Sequence, residues 1–287
     1  MARLLRSLIF VPGNNSRFLE KAKNLSADIV CFDLEDSVPK DEKESARNLI
    51  KEALSRRAEY KAEVYVRTNS PASGMIPKDL SEIVQKGIDG IVIPKVNNTI
   101  ELKKIIKTLA LLEKKRKLKP IEIMPSIESA EGVVNTYTIA SSSNRVSALV
   151  FGVFDLLNDL CIEYTKQSEG SKYARAKLPV DAKAAGKHVI DAIWQDLDDE
   201  TGLEEDCIIG RNLGYVGKSI IHPNQITAVH KIFYPTQAEI EWARKVCQAY
   251  VESTKKSKGA TKVEGKMIDE VHFKRAKTLL DSINIAV

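Results

Sequence analysis

Eight short apolar, β-branched runs recur along the 287-residue chain, at residues 7–11, 29–34, 63–67, 90–94, 121–127, 148–152, 189–194 and 218–221, and nearly every one is followed by an amphipathic stretch. A continuous apolar run marks a strand buried on both faces, and such strands alternating with helices indicate a parallel sheet covered by helices. Eight units of this kind close most economically into a (β/α)8 TIM barrel of the α/β class. Helices are expected over 16–25, 41–57, 99–117 and 224–233, with Asn15 and Asn98 placed to accept bonds from unpaired amides at two of the starts. A polar stretch at 163–177, containing Ser168, Gly170 and Ser171, reads as a long excursion after the sixth strand.

Beyond the eighth unit, a helix is expected over 237–252, a lysine-rich linker over 253–266, and extra helical structure running to Val287. Residues 1–235 are therefore assigned to a catalytic barrel domain and 236–287 to a C-terminal helical extension, either a packed layer or an arm reaching a neighbouring subunit. The composition excludes disorder, with 43% hydrophobic and 29% charged residues. A net charge of +5 spread over the chain argues against nucleic acid as a partner and suits small acidic ligands. Four cysteines without a Cys-x-x-Cys pair read as reduced thiols. Arg3 and Arg6 precede an apolar run that stops at Pro12-Gly13, too short for a signal peptide core, and no run reaches membrane-spanning length. A cytoplasmic protein without a membrane partner is expected.

In a barrel of this class, catalytic groups gather at the carboxyl ends of the strands. Polar residues cluster there: Asp33-Leu34-Glu35-Asp36, Arg67-Thr68-Asn69, Pro94-Lys95, Glu128, Gly152 with Asp155, and His222-Pro223. Glu128 and Asp155 lie one strand–helix unit apart, so their carboxylates can share a hard cation such as magnesium. The alternative is a helix N-cap at Asp155 and a solvated Glu128. Three acids crowded at 33–36 call for a cation, water or an arginine, unless Asp36 simply caps the following turn. Arg67 presents a planar fork suited to a carboxylate or thioester oxygen, or to a salt bridge with Asp33 or Glu35, and the two roles can coexist. His222 reads as a ligand contact or a packed histidine. Ser7, Ser126 and Ser219 lack the elbow of a serine nucleophile. The opening at 12–17 leads into a helix whose amides, with Arg17 and Lys21, suit phosphate groups, whereas the basic run at 103–119 reads as a solvated helix face.

Taken together, the stretches 6–13, 33–38, 66–69, 94–95, 128–132, Phe151-Gly152 with Asp155-Leu156, and Gly217-Lys218 with 221–225 make the chain resemble citrate lyase β-chain-like proteins and the malyl-CoA and citramalyl-CoA lyases of the aldolase/citrate lyase superfamily. The resemblance runs nearly end to end. It implies a magnesium-dependent lyase that cleaves or forms a β-hydroxyacyl-CoA, giving acetyl-CoA and a 2-oxoacid. Glu128 and Asp155 would bind the metal, Asp36 and its acidic neighbours would order metal-bound water, and Arg67 would hold a substrate oxygen. Asp269, in Gly265-Lys266-Met267-Ile268-Asp269, would be the general acid/base supplied across a subunit boundary of a homotrimer or hexamer. Coenzyme A would lie near Arg17 and Lys21. Two departures stand out: Phe154 occupies the place where relatives carry an acid, and Glu270-Val271 follows Asp269. Alternatives are the β chain of a multi-subunit citrate lyase acting on a carrier-bound citryl group, a thioesterase, and a non-catalytic CoA-binding paralogue.

Overall fold

The computed structural model describes residues 4–166, 169–255, 259–283 and 285. Arg3, Ser168, residues 256–258 of the expected linker and Val287 lie outside the described residues. Eight strands form a closed parallel barrel in sequence order: β1 (Ser7–Pro12), β2 (Ile29–Asp33), β3 (Glu63–Arg67), β4 (Gly90–Ile93), β5 (Glu122–Ile127), β6 (Ala148–Phe151), β7 (His188–Asp191) and β8 (Gly217–Ile220). The last strand returns to the first, with Ser7 opposite Lys218.

Most strand ends fall within a residue of expectation, but β7 stops three residues before the expected Trp194. The Asp191 side chain accepts the Ala192 N–H at 2.9 Å, and the Trp194 carbonyl accepts from Gln225 Nε2 at 2.9 Å, so both groups leave the ladder. Alternate strand residues divide the apolar burial. Leu8, Cys31, Tyr65, Val92, Met124, Val150 and Ile190 meet in one buried cluster, while their neighbours, including Ile9, Val30, Val64, Ile91, Ile123 and Leu149, join a second cluster with the helices.

The surrounding helices are α1 (Ser16–Ala22), α2 (Lys43–Ser55), α3 (Ile76–Ile83), α4 (Thr99–Arg116), α5 (Ala130–Val134), α6 (Thr136–Ser141), α7 (Val153–Asp159), α8 (Lys172–Ala184), α9 (Glu200–Leu213) and α10 (Gln225–Phe233). Asn15 caps α1 by accepting from the Phe18 N–H, and Asn98 caps α4 by accepting from Ile100 and Glu101. Within the expected excursion at 163–177, a short 3-10 turn at Glu169–Ser171 leads straight into α8, so its second half is helical. Ala174, Arg175 and Leu178 are buried there, which selects the helix despite the polar composition. Lysines 103, 104, 107, 114 and 115 are exposed on α4, a solvated face as read.

The chain divides between Phe233 and Tyr234 into the barrel unit and a smaller unit. The smaller unit contains α11 (Gln237–Lys255), β9 (Thr261–Val263), β10 (Lys266–Ile268) and α12 (Glu270–Ser282). Its core joins Ile240, Val246 and Cys247 to Val263, Ile268 and Leu280. The expected linker thus carries half of an antiparallel hairpin. Its turn, Glu264-Gly265, has φ of 46° and 84°, the double positive value that matches the twist of the flanking strands. Among the described residues no helix is long and apolar enough to cross a membrane.

Candidate active site

The register of β2 and β3 sets Asp33 directly opposite Arg67 at the carboxyl end of the barrel. The fork closes on the carboxylate: Arg67 Nε and Nη2 donate to Asp33 Oδ1 and Oδ2, each at 2.7 Å. Asp33 also accepts from the Glu35 N–H (2.8 Å), the Ser37 N–H (3.0 Å) and the Ser37 hydroxyl. Burial disfavours the Asp33 anion, but Arg67 and these donors outweigh it and hold the carboxyl below its usual range. It is Asp33, and not Asp36, that ties down the following turn. Gly13 fits the same corner: its N–H donates to the Asp33 carbonyl, and a Cβ there would stand 2.5 Å from that oxygen.

Glu35 is buried, with Oε1 3.0 Å from Lys95 Nζ and Oε2 3.3 Å from Arg67 Nη1. Its Oε2 makes no hydrogen bond, and burial pushes its pKa up to about 7. Asp36 is exposed, 3.4 Å from Lys95 Nζ. Lys95 has a left-handed backbone, φ 52°, uncommon for a side-chain-bearing residue. That conformation turns its N–H onto Glu128 Oε1 at 2.5 Å while its ammonium reaches Glu35, Asp36 and Asp155, the last at 3.1 Å. One residue thereby bridges the ends of β2, β5 and β6.

Glu128 follows β5 and is buried; burial, with Glu35 and Asp155 nearby, pushes its pKa up to about 8. Asp155 stands in the first turn of α7, whose N-cap is Gly152 and not Asp155. Gly152 has φ −108°, open to any residue, so space explains its identity. A Cβ there would lie 2.1 Å from Glu128 Oε2. Gly152→Ala is expected to displace that carboxylate while the barrel still folds, reducing turnover about 100-fold, as an ångström of misplacement does. Kinetics beside a thermal melt checks this.

The sign of the Glu128 shift fixes a second expectation. A carboxyl whose folded pKa exceeds its unfolded value adds stability that is fully present below the unfolded pKa and lost as pH rises through the folded one. Glu128 and Glu35 act in the same direction, so metal-free protein should lose stability as pH rises from about 4.5 to about 8. Melting curves across that window should show the slope, and Glu128→Gln should flatten it.

A cavity of about 450 Å³ opens here, lined by Asp33, Asp36, Arg67, Glu128 and Asp155. Ser126 and Ser219 line it too, and the buried Ser219 hydroxyl has no hydrogen-bond partner. Without a nucleophile elbow, both serines offer the cavity neutral hydroxyls rather than an attacking group. Five carboxylates gather here about Arg67 and Lys95, with the Lys43 ammonium on the Leu34 and Glu35 carbonyls behind them, a buried Glu35 oxygen that makes no hydrogen bond, and a glycine cradle behind Glu128. An all-oxygen set with excess negative charge fits a hard dication. Among the described residues no three His, Cys, Asp or Glu side chains already stand in metal-ligand geometry; the Lys95 ammonium sits between the acids.

Other expected residues separate. Asn69 turns to Asp79, which also takes Arg47 Nε at 2.7 Å, a buried structural network. Arg17 and Lys21 are exposed on α1, whose Phe18 amide Asn15 already occupies. Lys21, Phe18 and His222 line a second cavity of about 280 Å³, which shares Phe10, Pro12 and Ile221 with the first. His222 Nδ1 accepts the Asn224 N–H at 3.3 Å. Asp269, in the smaller unit, caps α12 by accepting from Val271 and His272 and pairs with His272 Nδ1 at 2.6 Å. The His272 bond holds its carboxyl below the usual range. Sequence reasoning missed a buried cluster behind β7 and β8, where Arg175 and Lys218 both pair with Asp191 and Asp206. Lone lysines and aspartates far apart in sequence give no signal of such pairing.

Carboxylates, an arginine fork and a lysine at the open end of a parallel α/β barrel are an arrangement capable of acid–base and cation-assisted chemistry. The HpcH/HpaI aldolase/citrate lyase family matches residues 6–223, and the chain belongs to that family. It is 34% identical to the citrate lyase subunit beta of Leuconostoc mesenteroides subsp. cremoris, over 98% of this chain and 94% of that one. It is 33% identical to a (3S)-malyl-CoA thioesterase of Cereibacter sphaeroides, over 97% and 94%. Among solved structures, CitE of Mycobacterium tuberculosis in complex with magnesium, acetoacetate and coenzyme A shares the fold at TM-score 0.80, with 23% identity over 99% of this chain and 100% of that one.

Proposed function

We propose that this chain is a magnesium-dependent carbon–carbon lyase that converts a β-hydroxyacyl-CoA into acetyl-CoA and a 2-oxoacid. The observation that carries the reading is the Glu128 carboxylate, buried in its Gly152 cradle beside Asp155 in a cavity that Arg67 also lines. Glu128 and Asp155 would hold the metal, which when bound supplies a Lewis acid for a substrate oxygen. The Mycobacterium protein of the same fold was solved with magnesium and coenzyme A, in keeping with a metal-dependent reading.

The chain's own groups fill the remaining roles. Asp269, kept as a carboxylate by His272, would take the β-hydroxyl proton across the subunit boundary of a homotrimer or hexamer. The bond between the α and β carbons breaks, its electrons pass to the thioester carbonyl, and the proton held on Asp269 then goes to the α carbon to give acetyl-CoA. Arg67 Nη1, whose nearest acid lies 3.3 Å away, and the Ser219 hydroxyl would donate to that carbonyl oxygen as charge develops. Asp36, exposed at the rim, would order water. Coenzyme A would run through the adjoining cavity past Lys21, with Arg17 on the same helix reaching its phosphates.

Assay with magnesium and a panel of β-hydroxyacyl-CoAs tests this, with acetyl-CoA and a 2-oxoacid expected. Free acid plus CoA would mark a thioesterase, and coenzyme A binding without turnover a non-catalytic paralogue. Ser219→Ala is expected to lower kcat about 10-fold with KM little changed, because a neutral donor is lost. A second reading, the citryl-carrier-protein lyase subunit of a larger complex, is favoured by the identity with the Leuconostoc chain. Copurification with carrier and α subunits, together with inactivity on free CoA thioesters, would establish it.

A further inference from the structure

The cavity is divided in character. Its acids gather around Arg67, whereas Val150, Phe151, Phe154, Ile193 and Ile221 supply an apolar wall. Phe154, half-buried, packs against Tyr164 with the rings tilted by 32° and their centroids 4.9 Å apart, which fixes its position beside Asp155. Among the described lining residues Arg67 is the sole cation; its Nε and Nη2 are both taken by Asp33, and Nη1, the donor assigned above to the thioester carbonyl, lies 3.3 Å from Glu35. The nearby Lys95 ammonium is shared among Glu35, Asp36 and Asp155. A substrate carboxylate beyond the one held with the metal would therefore lose its water against hydrocarbon without gaining a counter-charge of its own. A methyl or similar group in the same place gains contact with that wall.

We propose that Phe154 and its apolar wall make this site selective for β-hydroxyacyl thioesters that release a 2-oxoacid with one carboxylate and an apolar substituent, and turn away those that release a dicarboxylic 2-oxoacid. This deepens the lyase reading above and rests on it. Discrimination by an apolar pocket, reinforced by an unpaired charge, is expected to reach about 100-fold or more in kcat/KM.

The test compares citramalyl-CoA, which releases pyruvate, with citryl-CoA, which releases oxaloacetate, using the full chain and magnesium, and titrates both 2-oxoacids calorimetrically. Citramalyl-CoA and pyruvate should be preferred about 100-fold. Phe154→Arg should shrink or reverse that ratio, chiefly by improving citryl-CoA, with circular dichroism reporting the fold. A wild-type ratio within about 10-fold, or preference for citryl-CoA, overturns the selectivity while the lyase reading stands. The same holds if folded Phe154→Arg keeps the wild-type ratio. Cleavage of neither thioester, with neither oxoacid bound, overturns the lyase reading and this inference together. The wild-type ratio decides even if Phe154→Arg does not fold.

Discussion

Glu128→Gln should reduce magnesium-dependent turnover by about 10³-fold or more, roughly 4 kcal/mol of lost transition-state stabilisation, while leaving the barrel folded. Glutamine matches the shape of a protonated glutamate, and burial already favours the protonated form of Glu128 up to about pH 8 without metal. The substitution therefore asks little of the fold. It removes the anion that a dication needs, so calorimetric magnesium binding should weaken in step with turnover. Wild-type binding should release a proton below about pH 8 and tighten as pH rises. Unchanged turnover in the variant would remove Glu128 from the chemistry.

Arg67→Met should have the largest effect on stability. Asp33 is fully buried and takes two charge-assisted bonds from the Arg67 fork, and Glu35 lies beside it. Removing one partner of a buried pair leaves an uncompensated charge, at about 3–5 kcal/mol. For a unit of this size that lowers the melting temperature by roughly 10 °C. Lysine should recover little, since a single ammonium cannot reproduce two parallel bonds. Arg67→Met combined with Asp33→Asn should regain much of the stability without regaining activity, and the double-mutant cycle measures the coupling. Equal melting of Arg67→Met and wild type would mean that the pair contributes nothing to the fold.

The barrel was legible because continuous apolar runs recur eight times with helices between them, which a closed barrel accommodates most economically, and the Asn15 and Asn98 caps were legible because capping is local chemistry. Asp33, Asp36, Arg67, Glu128 and Asp155 were legible as strand-end polar residues, and the structure brings them to one cavity, with Glu35 buried beside it. What the chain order hid is pairing in space. Strand-end position alone did not separate Asn69, committed to Asp79, from Arg67, which lines the cavity. The double duty of Lys95 depends on a backbone angle, and the need for Gly152 depends on a glutamate from the preceding strand. The hairpin after α11 was hidden because lysines mask a turn that its two positive angles define.

The joining of β8 to β1 also governs how the protein can be made. Phe10 and Pro12 emerge from the ribosome early, whereas Ile221, which shares their wall, appears some two hundred residues later. Until then a nascent chain holds an unfinished curl of strands with two raw margins, each offering backbone groups to any passing strand. The cavity is thus completed only late in synthesis, and a chain stopped before β8 carries two open strand edges that favour pairing with other chains.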